Sequence, residues 1–236
     1  MIPGSSPPWR PARIVISQIM QDLRYRFERR ALRRNPVWPL MKPREVEIIM
    51  DLLWRLRPRR VLEWGSGYGT LYFTRRYSGF DTWLSIEHSE EWAERIRHLN
   101  TDPRVEIVSV ETGEGFSGYV DYPSNRGAFD LVLVDGRART ACLARAPLYL
   151  SGRGCLILHD AGRGQYHPLP SSYEDNCSFG DYRDEGGLWI ASQERAISDL
   201  IDLPRHLSVW KLYRRYGRQI NWLYGPGVIS RWREVL

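Results

Sequence analysis

Two periodicities alternate along the chain. From Ile14 the apolar residues Ile16, Ile19, Met20, Leu23, Phe27 and Ala31 recur at helical spacing, while Arg24, Arg26, Arg29, Arg30, Arg33 and Arg34 crowd the other positions. That pattern predicts a basic amphipathic helix. The stretch NPVWPLMKP, with three prolines, interrupts it, and Val46, Ile49, Leu53 and Leu56 then mark one face of a second helix. Beyond this point the period changes. RVLEW at 60–64, TWLSIEH at 82–88, RVEIVSVE at 104–111, FDLVLVDG at 129–136 and GCLILHD at 154–160 are short apolar runs rich in Val, Ile and Leu. Segments of helical length separate them: GTLYFTRRYSG, SEEWAERIRHLN with Ser89 as an N-cap, and RARTACLARAPLYL. Near-continuous apolar strands alternating with helices predict a doubly wound, mainly parallel α/β sheet covered on both faces.

After Asp160 the pattern weakens. HPLPSSYEDNCSFGDYRDEGG reads as a long polar loop, GLWIAS at 187–192 as a last strand, and QERAISDLI and HLSVWKLYRRYGRQI as closing helices. The organisation expected is a flexible lead over 1–13, the basic helix and its connector over 14–45, and one domain over 46–236 with a long polar loop at about 161–186, a candidate recognition loop. A chain of 236 residues with 42% apolar residues is long enough for one such core.

Charge is distributed unevenly. Residues 1–45 hold ten Lys and Arg against three Asp and Glu, residues 203–236 hold seven against one, and the middle holds 17 against 24. Basic ends on an acidic middle suggest an anionic partner or contact with the domain itself. The N-terminal helix therefore reads as a lid, a homodimer contact or, less favoured, a membrane or RNA contact. Cys142, Cys155 and Cys177 form an odd set with no close pair, which argues against a disulfide framework. No apolar run reaches the roughly 20 residues of a transmembrane span, and the opening MIPGSSPPWRPAR lacks the apolar segment of a secretory signal. A cytoplasmic location is the expectation.

The stretch VLEWGSGYGT at 61–70 carries the clearest chemistry. A phosphate loop would end in Gly-Lys-Ser/Thr, and this loop has no lysine. The dinucleotide fingerprint G-x-G-x-x-G fails too, because Gly65, Gly67 and Gly69 read G-x-G-x-G, with Thr70 at the third glycine position. An acidic residue, one spacer and G-x-G-x-G after a first strand resembles motif I of the class I S-adenosylmethionine-dependent methyltransferases. DLVLVDG resembles their motif IV, and GRGCLILHD their fifth-strand motif, so the resemblance spans about Val61 to Asp160.

The resemblance implies a Rossmann-like sheet of seven strands and S-adenosyl-L-methionine as cofactor. It places Glu63, Gly65, Ser66, Gly67, Gly69, Glu87, His88, Glu114 and Asp135 around that cofactor. Glu63 would answer its ammonium directly or through water, Glu87 its ribose hydroxyls, and Glu114 would border its adenine. Asp135, His159 and Asp160 become the candidate catalytic residues, Arg137 and Arg139 the candidates for gripping an acidic substrate, and His167 a substrate-site residue that is a further candidate for taking the acceptor's proton. In the catechol-type O-methyltransferases, acidic residues at the ends of strands four and five hold a divalent cation. Asp135 and Asp160 match those positions and would hold Mg²⁺. The chain departs from that subgroup at Ala161, where it has asparagine, and at Ala138, where it has lysine.

The expected activity is methylation of a hydroxyl or carboxylate on a small-molecule or sugar-containing metabolite. RNA methylation through the Arg-rich termini is the alternative, although the N/D-P-P-Y/F signature of base-amine methylation is missing after Asp135. A non-catalytic nucleic-acid- or membrane-binding protein on the same fold is the alternative of another class. Aminopropyl transfer uses a related fold but has no positive signal here.

Overall fold

The computed structural model describes residues 37–112, 114–180, 186–208 and 210–211. The basic helix expected from residue 14 therefore lies, up to residue 36, outside the described residues, as does most of the closing helix expected over 206–220. Val37–Pro204 form one compact unit, which contains every element that follows.

Helix α1 (Pro43–Leu56) begins with proline in its first turn, where a missing N–H costs nothing, and the Glu45 carboxylate accepts from the Lys42 amide at 2.7 Å. Its apolar face, including Ile49, Leu52 and Leu53, is fully buried. The sheet then builds in order: β1 (Arg60–Trp64), α2 (Tyr68–Arg76), β2 (Thr82–Glu87), α3 (Glu90–Leu99), β3 (Val105–Ser109), a short α4 (Ser117–Asp121), β4 (Phe129–Val134), α5 (Arg139–Tyr149) and β5 (Leu150–His159). Ser89 caps α3 by accepting from the Trp92 amide, as the sequence leads one to expect.

Two further strands, β6 (Asp175–Gly180) and β7 (Gly187–Ser192), and the single turn α6 (Ile197–Leu200) complete the unit. The seven strands lie in the order β3-β2-β1-β4-β5-β7-β6. Pairs from β3 to β5 are parallel, and β7 runs antiparallel between β5 and β6. Alternate strand residues feed two layers. Leu62, Trp64, Val132, Val134, Leu156, Leu158 and Trp189 pack with residues of α4 and α5, including Tyr119, Cys142, Leu143 and Tyr149. Glu63, Leu133, Ile157 and His159 alternate with them and belong to the opposite face.

The polar loop expected after Asp160 contains β6, a strand hidden from periodicity because it is an edge strand of mixed exposure with the sequence DNCSFG. Its ladder with β7 holds it in place. No helix among the described residues is long and apolar enough to cross a membrane.

Candidate active site

The carboxyl ends of β1, β2, β4 and β5 converge where the strand order reverses, between β1 and β4. Open α/β sheets bind ligands at such a crevice. Gly65 leaves β1 with φ +102° and donates to Ile86 O at 2.8 Å, and a side chain on it would come within 2.5 Å of Gly136. Only glycine lets the loops after β1 and β4 cross this closely.

The glycine loop is tied down from below and from the side. Thr70 Oγ1, Trp83 Nε1 and Ser85 Oγ all donate to Glu63 Oε2, at 2.8, 2.9 and 2.8 Å. The Gly67 amide donates in turn to Thr70 Oγ1 at 2.9 Å, so loop, helix and carboxylate form a relay. Glu63 thus faces inward as the strut of the loop. Trp92 Nε1 on α3 donates to Ser66 O at 2.8 Å, and Tyr68 packs edge-on against the Trp92 ring. Trp83, Ser85 and Trp92 escape a sequence reading because they reach Glu63 and the loop from β2 and α3.

Burial pushes the Glu63 pKa up to about 7, against the pull of its three hydrogen bonds. Its unfolded value is near 4.5, so between these pH values the native state keeps a proton that the unfolded chain has lost. Stability contributed by this group therefore rises as pH falls from about 7 toward 4.5. Relative to Glu63→Gln, wild type should gain on the order of 1–3 kcal/mol over that range in urea unfolding series. A difference that stays flat with pH would show that Glu63 is ionised throughout.

Glu87 ends β2 with a buried side chain. Its Oε1 accepts from the amides of His88 and Ser89 at 2.9 and 3.1 Å and faces His88 Nδ1, whereas Oε2 has no partner among the described residues. Ser66 Oγ is buried and also lacks one. Glu114 opens the short 3-10 turn Glu114–Phe116 after β3, and its side chain lies outside the described residues.

At the ends of β4 and β5 the expected catalytic residues meet. His159 Nδ1 is 2.7 Å from Asp135 Oδ1, and its Nε2 is 3.2 Å from Glu45 Oε2 on α1. Both ring nitrogens are engaged within a buried contact, which leaves His159 no free nitrogen for a substrate proton. Burial opposes the imidazolium, but Asp135 and Glu45 outweigh it and raise the His159 pKa well above the ordinary value. Burial would likewise raise the Asp135 pKa, and facing His159 and Arg139 bring it below the usual carboxylate range. Glu45, the member that sequence reading missed, also accepts from Gly187 N at 3.0 Å.

Arg139 is not directed outward at a substrate. It is buried, and its guanidinium reaches Asp135 Oδ1 at 2.9 Å and Asp160 Oδ2 at 3.4 Å. Arg137 is exposed and its side chain has no partner among the described residues. His167 is exposed and its Nε2 donates to Ala161 O at 3.0 Å.

The Mg²⁺ expectation does not fit this arrangement. Donor atoms of Asp135, His159 and Asp160 do lie within 4.8 Å of one another. Yet Asp135 Oδ1 is already committed to an imidazolium and a guanidinium, and Asp160 Oδ2 to Arg139 and, at 2.6 Å, to Arg163. The carboxylates are neutralised by the protein's own cations.

No protein-family model and no curated protein matches the chain. Solved structures do. It is similar to a putative caffeoyl-CoA O-methyltransferase from Staphylococcus aureus, at TM-score 0.53 and 14% identity over 78% of this chain and 98% of that one. It is similar also to the O-methyltransferase TomG from Streptomyces achromogenes, at 0.50 and 15% over 79% and 99%, and to an O-methyltransferase from Bacillus cereus, at 0.50 and 15% over 82% and 93%. Strand order, the antiparallel seventh strand and these likenesses make the fold that of the class I S-adenosylmethionine-dependent methyltransferases.

Proposed function

We propose that the chain transfers the methyl group of S-adenosylmethionine to an oxygen, hydroxyl or carboxylate, of a small-molecule or sugar-containing metabolite. One observation carries the reading: at the switch point the protein leaves polar atoms unspent and space unfilled. Glu87 Oε2 and Ser66 Oγ have no partner among the described residues, and a side chain on Gly67 would meet nothing closer than Trp92 Nε1 at 3.9 Å. Glu87 would hold the ribose hydroxyls, Ser66 a polar group of the cofactor, and the loop at Gly67 and Gly69 its body. The cofactor supplies a methyl carbon already activated by the sulfonium. The structures from Streptomyces achromogenes and Bacillus cereus are described as complexes with SAM and SAH.

What remains for the protein is alignment and, for a hydroxyl acceptor, proton removal. Asp135, like Asp160, is a part-exposed member of the cluster around the buried His159. With its pKa lowered it is ionised at neutral pH and a weak base, which suits an acceptor that arrives ionised. A carboxylate needs no base at all. The exposed guanidinium of Arg137, beside Asp135 and Gly136, supports an acidic acceptor.

Calorimetric titration tests the reading. S-adenosylmethionine and S-adenosylhomocysteine should bind and NAD should not, and Glu87→Ala should weaken both by about 10–100-fold, the worth of hydrogen bonds to a charged group. Absence of binding by the wild-type chain would sink the methyltransferase reading.

A further inference from the structure

We propose that Arg139 is the resident cation of this site, holding between Asp135 and Asp160 the place that a divalent ion would otherwise take, so that the site works without metal. Asp135, His159 and Asp160 present donor atoms within 4.8 Å of one another, a spacing that suits a single ion. The guanidinium reaches into that set. Its Nη2 donates to Asp135 Oδ1 and Asp135 O at 2.9 and 2.7 Å, its Nη1 to Asp160 Oδ2 at 3.4 Å and to His159 O, and its Nε to Gly136 O at 3.0 Å.

A guanidinium has five N–H groups, and these five acceptors use all of them. The planar fork cannot turn away to admit an ion without abandoning several charge-assisted bonds at once. It is also shielded, being 9% exposed and lying over the Tyr166 ring at 5.7 Å.

The backbone is shaped for this role. Arg139 is the first residue of α5, and Ala138 before it takes φ 49°. Asp160 itself takes φ 57° as it leaves β5. Left-handed backbone is unfavourable for both residue types, alanine especially, and it persists here where two chain segments must turn sharply toward each other. Arg139 is thus a positioning residue: it fixes the two carboxylates and supplies their counter-charge. The assignment concerns the cation and holds whatever group the site transfers.

Binding of Mn²⁺ to the full chain, followed by loss of the free-ion paramagnetic resonance signal, tests this without reference to activity. Wild type should bind no stoichiometric ion at or below roughly millimolar concentration, the weak end of oxygen-ligand sites. Arg139→Ala, and Arg139→Gln should the alanine variant not fold, should acquire one site at least about tenfold tighter than any wild-type binding, because the acidic set then loses the one cation that bridges both carboxylates and keeps only Arg163 on Asp160 and His159 on Asp135. Adding Asp160→Asn should abolish that site. A role in folding alone would not create an ion site. The proposal is overturned if wild type binds one Mn²⁺ tightly in a manner that Asp160→Asn removes, or if a folded Arg139 variant binds no better than wild type.

Discussion

Glu45→Ala should lower the unfolding temperature by about 10 °C, because breaking a buried ion pair by removing one partner costs roughly 3–5 kcal/mol and a domain of this size loses about 2–4 °C per kcal/mol. Glu45 is completely buried and stitches three elements together. Its carboxylate accepts from the Lys42 amide at the start of α1, from the amide of Gly187 where β7 begins, and from His159 Nε2 at the end of β5. Alanine leaves His159 Nε2 and the buried Gly187 N–H without their acceptor, while Nδ1 keeps Asp135. Glu45→Gln preserves volume and one acceptor and should lose less than half as much.

The pH dependence follows from the two ends of the contact. Burial would raise the Glu45 pKa, but His159 and Lys42 bring it down to about 2, below an ordinary value of 4.5. Its contribution is therefore present above about 4.5 and is lost as pH falls toward about 2. His159 is raised, so its contribution is present below its ordinary 6.5 and is lost as pH climbs through the higher folded value. The gap between wild type and Glu45→Ala should accordingly be widest between about 4.5 and 6.5 and narrow at both extremes. Differential scanning calorimetry across that range checks it, and a gap under about 2 °C at pH 6 would mean that water, not His159, satisfies the carboxylate in solution.

How far the sequence reveals this site depends on the range of each interaction. The strands at 60–64 and 187–192 coincide with β1 and β7, because buried strands announce themselves as unbroken apolar runs. The glycine loop and the carboxylate ending β2 are legible for the same local reason: a tight turn must follow one strand, and an acid must end the next. Glu45 is not legible, since it pairs with a histidine 114 positions away and by itself reads only as a helix-capping glutamate. Arg139 shows the other limit. Its position beside Asp135 suggests an outward grip on substrate, whereas the left-handed turn at Ala138 swings it inward, and no propensity argument anticipates positive φ at an alanine. Edge strand β6 is invisible because its neighbours, not its own pattern, determine its pairing.

Substitution at Gly67 should separate folding from cofactor binding more cleanly than any other change in the loop. Gly65 is required by the chain itself, since it holds φ +102° and any side chain would strike Gly136. Gly67 is not. Its φ of −179° is extended backbone open to any residue, and the nearest atom to a β-carbon there is Trp92 Nε1 at 3.9 Å, an ordinary contact. Among the described residues nothing in the packing calls for glycine, and none of them fills the space above it along the loop. Gly67→Val should then leave the unfolding temperature within about 2 °C of wild type, as for surface changes. It should weaken S-adenosylmethionine by more than about 100-fold, since a branched side chain would stand where the cofactor must approach the main chain. Gly65→Ala should do the reverse, costing stability first by forcing a strained, overpacked crossing. Thermal unfolding and calorimetric titration of the two variants side by side decide the matter. A Gly67→Val protein that binds normally would place the cofactor elsewhere along the strand ends, and one that unfolds would mean the loop's glycines serve the fold alone.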